Sequence, residues 1–142
     1  MRKRFDYRKI PDYTKPSKSW VKRPLLQVTL FNGAKHQVVI SLVDSGADVF
    51  LFHSSIADRL GIDMKSEKPV SIDGIASGQP IEAYFHTVQL QVQDFPDKIE
   101  IQVGFTESDG VDGLLGQVGF FENYKITFER YRGCFWVEDR LS

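Results

Sequence analysis

The sequence predicts an all-β fold, namely a small closed β-barrel with one or two short helices. Most of its apolar segments are short and either rich in β-branched and aromatic residues or alternating in polarity, as strands are. Turn-forming residues separate these segments at short intervals. Segments with helical periodicity are few, and the sequence contains no internal repeat.

The first predicted hairpin turns at Asn32-Gly33, the strongest short-range signal for a β-hairpin. Residues 25–31 are predicted to form its first strand and residues 35–43 its second strand. Residues 38–43 (Val-Val-Ile-Ser-Leu-Val) are almost wholly apolar, which predicts that the second strand is buried. This strand ends at Asp44.

Asp44-Ser45-Gly46-Ala47-Asp48 is the most informative stretch of the chain. A carboxylate at the end of a buried strand costs free energy unless it is hydrogen-bonded or paired. Gly46 and Ala47 are small, so another backbone or a ligand can approach closely. Asp-Ser-Gly is also ordinary turn chemistry. The long apolar runs on both sides argue against an exposed loop tip and favour Asp44 as a functional residue.

A short helix is predicted over residues 56–60. Ser54 or Ser55 would cap its start, and Gly61 would end it. A second hairpin follows, with residues 67–72 leading into a turn region at residues 73–80. The remaining predicted strands cover residues 81–92, 99–105, 125–130 and 134–138.

A second motif, Leu114-Leu115-Gly116, lies about seventy residues after the first and ends another short apolar strand. Together the two motifs resemble the retropepsin-like aspartic peptidases, and more narrowly their small prokaryotic members with Leu-Gly-Gln-x-Gly-Phe-Phe at this position. In that family a hydrophobic-Asp-Ser/Thr-Gly-Ala loop carries the catalytic aspartate, and a later hydrophobic-hydrophobic-Gly strand supports it from behind. The resemblance covers roughly residues 25–138.

The resemblance implies an aspartic endopeptidase that hydrolyses peptide bonds by general acid/base activation of water. That chemistry needs two carboxylates sharing one proton, for which aspartic peptidases are the standard example. The chain contains only one Asp-Ser/Thr-Gly sequence. A two-fold homodimer would therefore pair Asp44 of one chain with Asp44 of the other.

The resemblance also assigns roles to the neighbouring residues. Within the active-site loop (Ser45, Gly46 and Ala47), Ser45 would bridge the two loops of the dimer. Gly46 and Asp48 would bind the substrate backbone. A flap over the cleft would also contact the substrate, through Gly74, Ile75, Ala76 and Gly78. The loop would be supported from behind by Leu114, Leu115 and Gly116.

The chain is predicted to divide into a basic, extended arm (residues 1–24) and the peptidase domain (residues 25–142). The arm holds nine Lys and Arg residues against two Asp, whereas the rest of the chain is acidic. A solvated arm, or one lying on the acidic body, is the favoured interpretation. The alternatives are a contact with nucleic acid or another acidic partner, with Phe5, Tyr7, Tyr13 and Trp20 as stacking residues, and autoinhibition of the cleft.

Other function classes find little support in the sequence. His36, His53 and His86 lie on different elements, so no metal site and no cofactor are predicted. Ser54 and Ser55 beside His53 lack the glycines of a nucleophile elbow. Cys134 is the single cysteine, and no apolar run is long enough to span a bilayer. These features, and the lack of an apolar segment behind the charged N-terminus, predict a cytoplasmic protein without membrane contact.

Two hypotheses follow from the sequence. The first is an active homodimeric aspartic endopeptidase acting on peptide or protein substrates. The second is a non-catalytic dimeric module of the same fold that binds peptides, or an acidic partner through its basic arm. Binding that is sensitive to salt and survives the substitution Asp44→Asn would favour the second hypothesis.

Overall fold

The structure is a computed structural model that describes residues 1–12, 19–76, 79–109 and 111–140. The described residues form a mostly β fold with two short helices, as the sequence predicts. The strands are β1 (Arg2–Asp6), β2 (Arg8–Pro11), β3 (Trp20–Arg23), β4 (Leu25–Asn32), β5 (Lys35–Val43), β6 (Leu51–His53), β7 (Val70–Ala76), β8 (Gln79–Val92), β9 (Lys98–Thr106), β10 (Gly113–Leu115), β11 (Tyr124–Glu129) and β12 (Cys134–Asp139). The helices are α1 (Ser54–Arg59) and α2 (Phe120–Asn123).

Seven strands form the main sheet in the order β4-β5-β10-β6-β9-β8-β7. Strand β4 pairs with β5 and also with β8, antiparallel in both cases. Both edges of β4 are therefore hydrogen-bonded. The long antiparallel pairing of β8 with β9 runs from Tyr84 opposite Phe105 to Gln91 opposite Lys98.

Strand β10 lies between β5 and β6, although it comes much later in the chain. It runs parallel to β5, with Leu114 opposite Leu42 and Leu115 opposite Val43. It runs antiparallel to β6, with Gly113 opposite Phe52. The loop from β5 to β6 must pass around the end of β10, and this loop carries the Asp-Ser-Gly sequence.

The hairpin predicted at Asn32-Gly33 is confirmed. Asn32 pairs with Lys35, and Gly33 has a φ of 59°, a left-handed conformation that glycine adopts without steric cost. The Asn32 side-chain nitrogen donates a hydrogen bond to the carbonyl oxygen of Leu60 at 2.9 Å. The turn is thereby fixed to the end of α1.

Helix α1 begins earlier than predicted, and its cap differs. His53 occupies the cap position, where its Nδ1 accepts a hydrogen bond from the backbone nitrogen of Ser55 at 3.2 Å. The predicted cap by Ser54 or Ser55 is wrong, because β6 ends at His53 and places an imidazole acceptor where a hydroxyl was expected. Gly61 ends the helix with a φ of 68°, as predicted. None of the described helices is long and apolar enough to cross a membrane.

The hydrophobic core packs directly behind the loop between β5 and β6. Its largest fully buried side chains include five phenylalanines: Phe50, Phe52, Phe105, Phe120 and Phe135. Phe50 ends the loop, and Phe120 begins α2 just after β10. Their rings meet edge to face, with centroids 6.1 Å apart. This contact joins the two segments that surround Asp44.

The described N-terminal residues are extended and lie in two sheets. Strand β1 pairs with β12, which also pairs with β11. The Phe5 ring stacks on the buried Phe135 ring at a centroid distance of 5.6 Å. Strands β2 and β3 form a separate two-stranded hairpin. The division of the chain at residue 24 stays a prediction, and Tyr13 lies outside the described residues.

Candidate active site

Asp44 directly follows β5 and is held by three hydrogen bonds, one to β10 and two within its own turn. Its backbone nitrogen donates to the carbonyl oxygen of Leu115 at 3.1 Å. Its carbonyl oxygen accepts from the backbone nitrogen of Ala47 at 3.2 Å. Its side-chain Oδ1 accepts from the backbone nitrogen of Gly46 at 2.9 Å. The half-buried carboxylate is therefore fixed in position while keeping acceptor capacity for a further partner.

The turn itself is exposed on one side and tied down on the other. Ser45 and Gly46 are exposed. A Cβ added to Gly46 would lie 3.2 Å from Asp44 Oδ1, so a side chain there would crowd the carboxylate. The Ser45 carbonyl oxygen accepts a hydrogen bond of 2.6 Å from Gln117 Nε2. The turn thus presents its hydroxyl and its glycine outward while its backbone is held from behind.

Ala47 and Asp48, which follow the turn, are also hydrogen-bonded to the segment after β10. Gln117 donates its backbone N–H to the carbonyl oxygen of Ala47 at 2.8 Å. Val118 donates to the carbonyl oxygen of Asp48 at 2.7 Å. Ala47 is buried, whereas Asp48 is exposed. Asp44 and Asp48 therefore lie at the two ends of one anchored loop.

Gly116 is required where the two segments cross. A Cβ at this position would lie 2.7 Å from the Ala47 carbonyl oxygen and 2.8 Å from the Val49 backbone nitrogen. These are backbone atoms that cannot move aside as a flexible side chain could. Just before it, Leu115 is fully buried and Leu114 is half-buried. All three predicted support residues thus lie in or directly after β10, behind the Asp44 loop.

The hairpin predicted to cover the site is formed by β7 and β8. Gly74, Ile75 and Ala76 belong to β7, and Ala76 pairs with Gln79 after an irregularity in the pairing. Gly78 lies outside the described residues. Among the described residues, no hydrogen bond joins β7 to the Asp44 loop. The structure therefore brings together the Asp44 loop and β10. From the hairpin, Ile72 of β7 and Ile81 of β8 pack against the same buried cluster as Leu114 of β10.

A cavity of about 410 Å³ lies against the sheet beside the Asp44 loop. Leu42 lies in β5, two residues before Asp44. Leu42 and its neighbour across the sheet, Leu114, both line the cavity. The other lining residues are Ile10, Arg23, Leu25, Ile40, Val111, Asp112 and Gly113. The cavity therefore has mostly aliphatic walls with one cation and one anion.

Sequence reasoning missed the cavity and Gln117. The alternation along β5 could have indicated Ile40 and Leu42, because they lie on one face of the strand that leads into Asp44. No local sequence pattern indicates that Ile10 and Arg23 line the cavity, because their position depends on how the β2–β3 hairpin packs on the sheet. No group of three or more His, Cys, Asp or Glu side chains in the described part of the chain could hold a metal ion.

Solved structures with a similar fold include two proteases and one protease-like domain. A retropepsin-like aspartic protease from Rickettsia conorii has a TM-score of 0.58 at 18% identity, covering 79% of this chain and 88% of that chain. EIAV protease in an inhibitor complex has a TM-score of 0.51 at 19% identity, covering 68% of this chain and 83% of that chain. The retroviral protease-like domain of Ddi1 from Leishmania major has a TM-score of 0.52 at 19% identity, covering 82% of this chain and 94% of that chain. At these identities the likeness establishes the fold.

An Asp-Ser-Gly turn at the end of one strand, tied to a glycine-ending strand threaded beside it, defines the retropepsin-like class of aspartic proteases. A family model described as aspartyl protease matches residues 26–118, which include the Asp44 loop and β10. The chain therefore belongs to the aspartyl protease family. No curated protein matches the sequence significantly. The predicted resemblance to retropepsin-like aspartic peptidases is confirmed.

Proposed function

We propose that the protein is an aspartic endopeptidase whose catalytic dyad is formed by Asp44 from each of two identical chains. The observation that carries the proposal is the geometry of Asp44. Its Oδ1 is held by the Gly46 backbone nitrogen, and its own backbone is held by Leu115. A carboxylate fixed in this way at an exposed turn suits a role in acid/base chemistry.

A homodimer follows from the chemistry, because the chain has a single Asp-Ser-Gly sequence. A two-fold axis beside Asp44 would bring the two carboxylates together. Two carboxylates at such close range cannot both ionise, so the pair would hold one proton between them. Ser45, whose side chain lies on the exposed part of the turn, would bridge the two loops. Closure of the sheet into a barrel, through the β4–β8 pairing, completes the proposed fold of each subunit.

In the proposed reaction, one Asp44 carboxylate accepts a proton from a water molecule as the water oxygen attacks the carbonyl carbon of the peptide. The protonated Asp44 of the other chain donates its proton to the carbonyl oxygen. A neutral tetrahedral diol results. Its collapse breaks the C–N bond, with one proton passing to the nitrogen and one returning to the dyad. The dyad ends with the single proton with which it began.

The substrate is proposed to bind as an extended strand across the two loops. The exposed Gly46 and Asp48 would contact its backbone. The β7–β8 hairpin would act as a flap, through Gly74, Ile75, Ala76 and Gly78. The 410 Å³ cavity would receive an apolar side chain of the substrate, because Leu42 and Leu114 connect its walls to the Asp44 loop.

The experiment is cleavage of a peptide library, read by mass spectrometry, between about pH 4 and 7, where a proton-sharing carboxyl pair titrates. Wild type, Asp44→Asn and Asp58→Asn are compared. Asp58→Asn is the control, because Asp58 is exposed on α1 and its substitution removes the same charge at a position outside the Asp44 loop. We expect cleavage by wild type and Asp58→Asn and none by Asp44→Asn. Equal cleavage by all three proteins, or cleavage by none of them when they are folded and dimeric, would contradict the proposal.

The second outcome would favour the alternative, a non-catalytic dimeric module that binds peptides. Such a module would retain peptide binding in Asp44→Asn with unchanged affinity. The two functions are therefore separated by measuring binding and cleavage of one peptide with the same pair of proteins.

A further inference from the structure

The β2–β3 hairpin carries cations directly opposite each other. Arg8 pairs with Arg23, and Lys9 pairs with Lys22, across the two strands. Like charges in directly opposite positions destabilise a strand pair, and an isolated two-stranded hairpin has little stability to spare. Within the described part of the chain, Lys9 and Lys22 form no ion pair. An anionic partner would remove this repulsion.

The hairpin has two faces with different surroundings. Alternation along the strands puts Arg8, Ile10, Val21 and Arg23 on one face, and Ile10 and Arg23 line the cavity beside the Asp44 loop. The opposite face carries Lys9, Lys22 and Trp20. The lysines are therefore directed away from the proposed substrate site.

Trp20 gives this second face a large exposed aromatic ring. Its side chain is 65% exposed, although tryptophan is usually well buried. Two other aromatic residues of the N-terminal segment are engaged in packing, because Phe5 and Tyr7 both contact the Phe135 ring. Among these three aromatic residues, Trp20 is the one whose ring is most open to a partner.

A concavity of about 340 Å³ joins Trp20 to further cationic side chains. Lys22 and the exposed Arg130 line it together with Trp20, and Asp12 is the acidic residue of the same lining. Among the described residues, Arg130 also forms no ion pair, whereas the neighbouring Arg132 is engaged by Glu129 at 3.5 Å. An aromatic ring therefore stands beside Lys22 and Arg130, which form no ion pair with another described residue.

We propose that Lys9, Trp20, Lys22 and Arg130 form a binding surface for single-stranded nucleic acid, here called the hairpin surface. The cations would contact backbone phosphates, and a base would stack on the indole of Trp20. An exposed flat ring beside cations that form no ion pair among the described residues suits a stacked base better than an acidic peptide, which offers charge without a ring. Four-residue strands extend about 13 Å, enough for a few nucleotides. The proposal is independent of peptidase activity.

The test is fluorescence anisotropy with a labelled oligo(dT) and a labelled oligo(rU) of about 12 nucleotides, within the usual range of such sites. Full-length protein is titrated at several salt concentrations. The variants are Lys9→Gln/Lys22→Gln, Trp20→Ala and Trp20→Phe. The control is Lys68→Gln/Lys125→Gln, which removes two exposed lysines elsewhere on the chain. Circular dichroism confirms that each variant is folded.

We expect the Lys9→Gln/Lys22→Gln protein to bind about tenfold more weakly than wild type. Its slope of log affinity against log salt should be shallower by about 1.4, the value for two phosphate contacts on a single strand. Trp20→Ala should also lose about tenfold in affinity, whereas Trp20→Phe should keep most of it because the ring remains. The control should bind like wild type.

Three results would overturn the proposal. The first is equal loss of binding in the control and in the Lys9→Gln/Lys22→Gln protein, because charge alone would then account for it. The second is equal affinity for duplex DNA with no effect of Trp20→Ala, which would exclude stacking of a base. The third is that polyglutamate displaces the oligonucleotide at equal charge concentration, which would assign the hairpin surface to an acidic protein partner.

Discussion

The backbone N–H of Asp44 donates a hydrogen bond to the carbonyl oxygen of Leu115 at 3.1 Å. This bond joins the proposed catalytic residue to β10, a strand that forms from a distant part of the sequence. Leu115 is fully buried, so its carbonyl position is set by the core. The placement of Asp44 therefore depends on how the rest of the fold packs around β10.

Gly116→Ala should destabilise the protein and lower the cleavage rate. The added Cβ would lie within 2.8 Å of backbone atoms of Ala47 and Val49, so the loop must shift. We expect a loss of about 1–3 kcal/mol in the free energy of unfolding, as for other overpacked sites. Displacement of Asp44 should lower kcat by about tenfold or more. Urea denaturation and peptide cleavage measure the two effects.

Gly33→Ala is the matched control for this substitution. A Cβ at Gly33 meets no atom within 4 Å, but the φ of 59° is unfavourable for alanine. This variant should lose about 1 kcal/mol of stability through its backbone alone and keep its kcat. An equal loss of kcat in both glycine variants would show that activity follows general stability rather than the position of the loop.

Ile40→Phe should alter substrate preference if the cavity receives a substrate side chain. Ile40 lines the cavity and is 38% exposed, so a larger ring can be accommodated without disturbing the core. Peptides with a large apolar residue at the cut site should lose about tenfold in kcat/KM relative to peptides with alanine there. Val38→Phe is the control, since Val38 lies on the same face of β5 outside the cavity. The same change of preference in both variants would rule out the cavity.

Phe5→Ala should destabilise the protein, because Phe5 stacks on the buried Phe135 and belongs to β1, which pairs with β12. The half-buried ring should contribute about 1–3 kcal/mol to the free energy of unfolding. Tyr131→Ala removes an aromatic side chain that is 86% exposed and should change stability by less than about 0.5 kcal/mol. Equal urea midpoints for Phe5→Ala and wild type would mean that the Phe5 ring adds nothing to the stability of the fold.

Stability should fall at high pH as Tyr124 ionises. Burial, with smaller contributions from Asp139 and Asp97, raises the pKa of Tyr124 to about 12. The usual tyrosine pKa is about 10, so the folded state holds this proton more tightly than the unfolded state. The stabilisation is complete below pH 10 and is lost as the pH rises from about 10 to 12. Tyr124→Phe should lower the slope of the free energy of unfolding against pH in this range, and an unchanged slope would contradict the assignment.

The local parts of the fold could be predicted from the sequence, whereas contacts between distant segments could not. Asn32-Gly33 predicted the first hairpin because turn chemistry is local. The predicted cap at Ser54 or Ser55 failed because the end of β6 places the His53 ring at the helix start. Ile10 and Arg23 line the cavity because the β2–β3 hairpin packs against the main sheet, and no local sequence pattern predicts that packing.

The candidate site was predictable for a different reason. The Asp44 loop and Leu114-Leu115-Gly116 each have a recognisable sequence, and the resemblance to a family supplied their relationship. Gln117 donates a side-chain hydrogen bond to the carbonyl oxygen of Ser45, and no sequence motif predicts this contact. The tip of the proposed flap depends on Gly78, which lies outside the described residues, so its part in the site stays a prediction.

The most direct test of a dyad shared between two chains is a subunit-mixing experiment. Equal amounts of wild type and Asp44→Asn are unfolded together, refolded and assayed against the same total of wild type alone. If both copies of Asp44 are needed, only wild-type pairs are active, and random pairing leaves about a quarter of the activity. If each chain acts with its own Asp44 alone, about half of the activity remains, and that result would contradict the shared dyad.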